Sequence, residues 1–244
     1  MNAISTFGLP ELPEMAFLLH ALQPSDVFVD VGANVGAFTL LASGVIGART
    51  IAVEPITSTV QELHTNLQLN GLQDSVTIVP VAVGDKTATV RMEMNRDVTN
   101  RVVSTDAITD TIEVKSTTLD EIVPTGSRSL VVKIDVEGYE TPVIKGAHHL
   151  LESGAVRALI VETMGQGARY GYKENELHEY LLSIGYNSCE YDPINRCLIQ
   201  NAPYQPFAKQ YVTDSTIYVL DFAEVSERVK LSSRYHIHGI GTDI

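Results

Sequence analysis

The feature that most constrains this chain is an alternation of two kinds of segment. Short β-branched or aromatic runs are each followed by a stretch with helical spacing. Val27–Val31 is such a run and leads through a glycine turn into 37–46, a stretch apolar enough for a helix packed on a sheet. Residues 50–53, Thr57–Asn70 and Val76–Val79 repeat the order. In the second helical stretch Val60, Leu63 and Leu67 share one face, and Gly71 supplies a stop. Ser58, or Thr59 with Glu62 at capping-box spacing, marks its start. Strand-helix-strand-helix-strand order predicts a parallel sheet with helices on both faces.

The middle of the chain breaks the rhythm. Residues 86–93 and 111–116 alternate as strands, which predicts an inserted strand pair with a mobile loop, 94–110, between them. The parallel pattern resumes with a buried strand at 130–135, a helix over 140–151 with Pro142 in its first turn, and a buried strand at 157–162. Helix 174–184 presents Leu177, Tyr180, Leu181 and Ile184 on one face. A hairpin follows, with 186–191 and 196–199 flanking the turn 192–195, then a last strand at 215–220 and a short helix over Phe222–Leu231. No Pro/Gly/Ser-rich linker divides the chain. One domain over 1–244 is expected, with an N-terminal helical segment (1–26) and a tail (232–244).

Charge narrows the functional classes. Lys plus Arg is 17 against 30 Asp plus Glu, a net charge of −13. A field of that sign repels phosphate backbones and anionic lipid, so neither nucleic acid nor a membrane is an expected partner. No apolar run approaches the roughly 20 residues that cross a bilayer. The first basic residue is Arg49, so the positive region of a secretory signal is missing. Two cysteines, Cys189 and Cys197, make no disulfide framework, and a reducing cytoplasm is expected. Their symmetry about Pro193 suggests that the two thiols face each other across the hairpin.

The densest chemical signal is the turn Asp30-Val31-Gly32-Ala33-Asn34-Val35-Gly36. It stands at the strand-to-helix turn where doubly wound sheets bind nucleotides. Glycine lets backbone approach a ligand, and the following helix offers free N–H groups. The spacing fits neither the dinucleotide fingerprint nor a phosphate-binding loop. By themselves the glycines fit an ordinary tight turn; the neighbouring acids give them a function. Glu54, followed by Pro55, ends the second strand, where an acid can accept both ribose hydroxyls. Ala82 and Val83 lie just after the third strand, where small apolar residues can line an adenine slot. Asp135 ends the buried strand 130–135, with Glu137 two residues on, and Glu162 ends the next. Carboxylates at buried strand ends are costly unless they bind something. Glu140, and in part Glu137, can instead cap the next helix.

These segments together resemble the FkbM family of S-adenosylmethionine-dependent methyltransferases. The resemblance rests on Val29-Asp30-Val31-Gly32-Ala33-Asn34-Val35-Gly36, the acid Glu54, Val81-Ala82-Val83-Gly84-Asp85, Thr118-Leu119-Asp120-Glu121-Ile122, and Lys133-Ile134-Asp135-Val136-Glu137-Gly138-Tyr139-Glu140. It runs from about residue 27 to 220. It implies a class I methyltransferase fold: a Rossmann-like, doubly wound α/β sheet of about seven strands with the last antiparallel. It implies S-adenosyl-L-methionine as cofactor. Asp30, Gly32, Asn34 and Gly36 would surround the methionine part, Glu54 the ribose, and Ala82 and Val83 the adenine, with Asp135 by the sulfonium. The loop around Asn100 and Arg101 matches loosely and is a place for substrate choice.

Methyl transfer from a sulfonium needs alignment above all, and a neutral alcohol also needs a proton acceptor. Asp135 and Glu162 are the candidate bases, with Glu137 third. His148 and His149 fit a surface, and His178, off the apolar face of its helix, is expected to be solvated. His236 and His238 fall in the tail, which is expected to be free. The same carboxylates could hold Mg²⁺, but a metal-free site is expected. The expected activity is O-methylation of a hydroxyl on a small molecule, sugar or natural product. N- or carboxyl-methylation, a nicotinamide oxidoreductase and a non-catalytic nucleotide-binding module are the alternatives. The acceptor and the oligomeric state are not written in the sequence.

Overall fold

The computed structural model describes residues 9–93, 102–103, 111–200, 215–239 and 241–244. Helix α1 (Leu12–Ala21) is buried from Glu14 onwards. A helix buried all round belongs inside a protein rather than on its surface. Strand β1 (Val27–Val31) follows, then α2 (Ala37–Leu40), which widens into a π-helical turn over Leu41–Ile46. Strand β2 (Arg49–Val53), helix α3 (Thr57–Asn70) and strand β3 (Val76–Val79) complete the expected alternation. The cap of α3 differs from expectation. Its N-cap is Ile56, with no side-chain cap, and the Ile56 N–H instead donates to Glu54 Oε1 at 2.9 Å.

Strands β4 (Ala82–Val83), β5 (Ala88–Glu93), β6 (Val102–Val103) and β7 (Thr111–Thr117) form a separate sheet in the order β4-β7-β5-β6. The expected inserted pair is β5 and β7, antiparallel, and a short strand extends it on each side. The expected loop 94–110, with Asn100 and Arg101, lies outside the described residues apart from β6.

The chain then returns to the main sheet. It passes through α4 (Leu119–Ile122), β8 (Leu130–Ile134), α5 (Glu140–Lys145), α6 (His148–Glu152), β9 (Val156–Glu162) and a 3-10 turn at Gln166–Tyr170. Next come α7 (Glu174–Ser183), the hairpin β10 (Asn187–Asp192) and β11 (Cys197–Gln200), β12 (Ser215–Val219) and α8 (Phe222–Leu231). The expected single helix over 140–151 is two, broken at Gly146. A Cβ there would stand 2.0 Å from the Gly84 carbonyl oxygen, so glycine is required where the two segments meet.

The main sheet runs β11-β10-β12-β9-β8-β1-β2-β3. Strands β9, β8, β1, β2 and β3 pair in parallel, and β12 enters antiparallel between β9 and β10. The expected seven-stranded sheet is present, and β11 adds an eighth strand. Alternation along β1 feeds both faces: Phe28 joins the cluster under α1 and α8, while Val29 and Val31 join the cluster on the opposite face.

Two expectations about the C-terminal third fail. In the hairpin Cys189 pairs with Gln200 and Cys197 with Asp192, so the thiols lie on opposite faces and both are free. Symmetry about Pro193 put the hairpin centre in the wrong place; the ladder centres between Ile194 and Asn195. The tail is docked rather than free. Strands β13 (His236–Ile237) and β14 (Thr242–Asp243) pair, and Ile244 is fully buried, exchanging two backbone hydrogen bonds with Tyr235. Among the described residues no helix is long and apolar enough to cross a membrane.

Candidate active site

The carboxyl ends of β1, β2, β8 and β9 open into one cavity of about 610 Å³. The chain leaves β1 toward β2 and β3, and later returns to β8 on β1's other side. This is the switch point where open α/β sheets bind ligands. The volume suits a small-molecule site.

Glycine makes the first wall possible, though not by leaving room for a ligand. Gly32 has φ +80°, and a Cβ there would meet the Asp135 carbonyl oxygen at 1.9 Å. Gly36 has φ +93°, and its Cβ would meet Leu63 Cδ1 at 2.5 Å. The turn after β1 is thus clamped between the turn after β8 and helix α3. Asn34 takes a left-handed φ of 49°, and its Oδ1 accepts the Val35 N–H at 2.8 Å. Its own N–H donates to Glu54 Oε2 at 3.1 Å. Burial pushes the Glu54 carboxyl above its ordinary pKa. Pro55, Ala82 and Val83 line the cavity beside it, with Met92 and Val102 of the small sheet.

The second wall is charged. Asp30 Oδ2 accepts the Thr39 hydroxyl at 2.6 Å, while Oδ1 is buried without a partner among the described residues. Lys133 is buried with Nζ 2.7 Å from Asp135 Oδ2 and 4.7 Å from the Phe38 ring centre. Burial works against its charge, but Asp135, Asp30 and Glu11 more than offset that and hold its pKa above the ordinary lysine range.

The third wall follows β8 and β9. Glu137 lines the cavity in a left-handed conformation, φ 56°. Glu140 Oε1 accepts the Val136 and Gly138 N–H groups at 3.2 and 3.0 Å, fixing that turn. Burial pushes Glu140 up to about 7. Glu162 Oε1 accepts Gln166 Nε2 at 3.1 Å, and its Oε2 is buried without a partner among the described residues. Burial first, then the charges of Asp135, Glu140 and Glu137, push Glu162 up to about 9.

Every site residue expected from the sequence except Gly36 lines this cavity, and Gly36 shapes it from behind through its contact with Leu63. Sequence reasoning missed Glu11, Tyr139 and Ser215, which line it too, and gave Lys133 no role. Lys133 was legible: a lysine inside a buried strand demands carboxylates nearby. Glu11 left no signal, since it precedes the first motif and reaches the site only through the fold. His178 is buried, with Nδ1 3.1 Å from the Tyr218 hydroxyl, and not solvated as expected; β12 covers that flank of α7. His236 bonds Asp243 at 2.7 Å outside the cavity. Among the described residues no group of three or more His, Cys, Asp or Glu is arranged to hold a metal.

The sheet order, the antiparallel β12 and the acids at the switch point define a Rossmann-like class I methyltransferase fold. The family model described as Methyltransferase FkbM domain matches residues 30–191, and the chain belongs to that family. Membership sets the oxidoreductase alternative aside. The hexuronic acid methyltransferase AglP of Haloferax volcanii is 31% identical over 151 residues, an alignment covering 59% of each chain. The chain thus spans 59% of the length of that curated relative. A crystal structure of Methyltransferase FkbM from Methylobacillus flagellatus KT superposes with a TM-score of 0.54 at 18% identity, over 81% of this chain and 44% of that one. That likeness concerns the fold.

Proposed function

We propose that this chain is an S-adenosylmethionine-dependent methyltransferase that methylates an oxygen of a sugar-like or other small acceptor. The observation that carries the reading is the charge of the cavity. Glu11, Asp30, Glu54, Asp135, Glu137 and Glu162 line it, against the single lysine Lys133 among the described residues. Burial first, and the neighbouring carboxylates after it, push Glu11 up to about 7 and Glu162 up to about 9, so a positive charge would be favoured in this cavity. Two buried carboxylate oxygens, Asp30 Oδ1 and Glu162 Oε2, have no partner among the described residues. A small cationic ligand fits such a cavity, and S-adenosylmethionine is one.

Asp30 and the 32–36 turn would hold the methionine part, Glu54 the ribose, and Ala82 with Val83 the adenine. When bound, the cofactor supplies a methyl group on cationic sulfur. Asp135, tied to Lys133, would lend charge by that sulfur. Glu162 would first lose its own proton to solvent as positive charge nearby lowers its pKa, and its Oε2 would then take the acceptor hydroxyl's proton. Glu137 stands beside it as the third carboxylate of that wall. We take residues 1–244 as one catalytic domain, on the support of two cores on opposite faces of one sheet. We place it in the cytoplasm, which its free thiols suit, with no nucleic-acid partner, in keeping with its charge of −13.

A hydroxyl is the first expectation for the acceptor. A carboxylate is the second reading: burial pushes Glu162 up to about 9, which weakens it as a base at neutral pH, and a carboxylate nucleophile needs no base. A uronic acid offers both kinds of oxygen, and the Haloferax relative is named for that substrate class. Calorimetry with S-adenosylhomocysteine and with NADH tests the cofactor; binding of NADH alone overturns the reading. A methyl-transfer screen over neutral sugars and uronic acids then tests the acceptor. Mild alkali strips a methyl ester and leaves a methyl ether, which separates the two oxygens.

A further inference from the structure

Beyond the residues the family match covers, the cavity has a wall supplied by the start of α1. Glu11 immediately precedes that helix and lines the cavity beside Asp30, Phe38 and Lys133. The matched segment begins at residue 30. Glu11 is fixed there, because α1 behind it is among the most deeply buried elements, with Met15, Phe17 and Leu18 fully enclosed. The charges acting on its carboxyl are those of Lys133, Asp135, Glu14 and Asp30. Three carboxyl residues, Glu11, Asp30 and Asp135, thus line one cavity together with Lys133, whose ammonium Asp135 holds at 2.7 Å. Asp30 keeps a buried oxygen, Oδ1, that nothing among the described residues satisfies.

An unsatisfied buried oxygen next to a second acid calls for a ligand with N–H donors. A sulfonium has none and offers charge alone. An alkylammonium has three donors and a full charge. The adenosine end is accounted for elsewhere, by Glu54 and the Ala82–Val83 wall. We propose that Glu11 is a cofactor-binding residue that, together with Asp30, holds the ammonium of the cofactor's amino-acid end, so that α1 completes the methionine subsite. This rests on the cofactor reading above. Lys133 stays bonded to Asp135.

The test is a calorimetric comparison of two ligands on the full chain. S-adenosylhomocysteine carries the ammonium; its desamino analogue lacks only that group. Wild type is expected to bind the first at least tenfold more tightly, the scale of a lost charge-assisted hydrogen bond. In Glu11→Gln the gap is expected to shrink by a factor of about ten, with affinity for the desamino analogue unchanged; Glu11→Asp restores part of it. Equal binding of both ligands by wild type overturns the proposal without any variant, even if Glu11→Gln fails to fold. A wild-type gap that Glu11→Gln leaves intact overturns the Glu11 assignment alone. No binding of either ligand to wild type overturns the cofactor reading itself.

Discussion

A methyl group added at Gly32 would have to occupy space 1.9 Å from the Asp135 carbonyl oxygen, in a backbone conformation that side chains disfavour. Gly32→Ala is therefore expected to destabilise the fold by at least about 2 kcal/mol, read as a lowered urea midpoint at constant slope. Glu162 makes a prediction of the opposite sign. Its folded pKa of about 9 lies above the ordinary 4.5, so the native state keeps a proton that the unfolded chain loses first. Its contribution to stability is full below pH 4.5 and is lost as pH rises toward about 9, at up to about 1.4 kcal/mol per pH unit. Glu162→Gln removes that slope. Denaturant melts at pH 6 and pH 9 are expected to show the variant gaining on wild type at the higher pH. The same substitution is expected to lower methyl transfer to a hydroxyl by about 10²–10⁴-fold. An unchanged rate would move the base to another group.

At the scale of elements, the hairpin and the docked tail carry the tests. Cys189 is buried, its thiol pushed up to about 12, while Cys197 is partly exposed on the other face of the sheet. A thiol reagent is expected to modify Cys197 in the folded protein and Cys189 only after unfolding. Modification of both at one rate would contradict the register Cys189–Gln200. The tail closes under the first core cluster through Ile244, which is fully enclosed. Ile244→Ala is expected to cost about 2–5 kcal/mol, measurable by thermal or denaturant unfolding. A free tail would show no loss.

Over the whole molecule, five elements bring acids to one cavity where, among the described residues, Lys133 is the single lysine, so binding a cation there is expected to draw protons from Glu11 and Glu162, whose carboxyls are pushed up to about 7 and about 9. S-adenosylmethionine is expected to release more protons on binding near pH 8 than S-adenosylhomocysteine, whose sulfur is uncharged. Titrations in two buffers of different ionisation enthalpy measure the difference; equal release would place the sulfonium away from Glu162. The sequence by itself determined the strands and helices of the main sheet, because period-two and period-3.6 patterning and glycine stops are local properties. It also brought the acids Asp30, Glu54, Asp135 and Glu162 to one edge, because each stands at or next to the carboxyl end of a strand and those ends share one edge in a doubly wound sheet. Only the tertiary structure decided the rest. It divided helix 140–151 at Gly146, where Gly84 packs close, set the hairpin register, buried His178 beside Tyr218 of β12, and brought Glu11 into the cavity that Lys133 lines, more than a hundred residues away. Each of those depends on which distant backbone or charge lies opposite, and pairing across the sheet is a long-range property that no local spacing encodes.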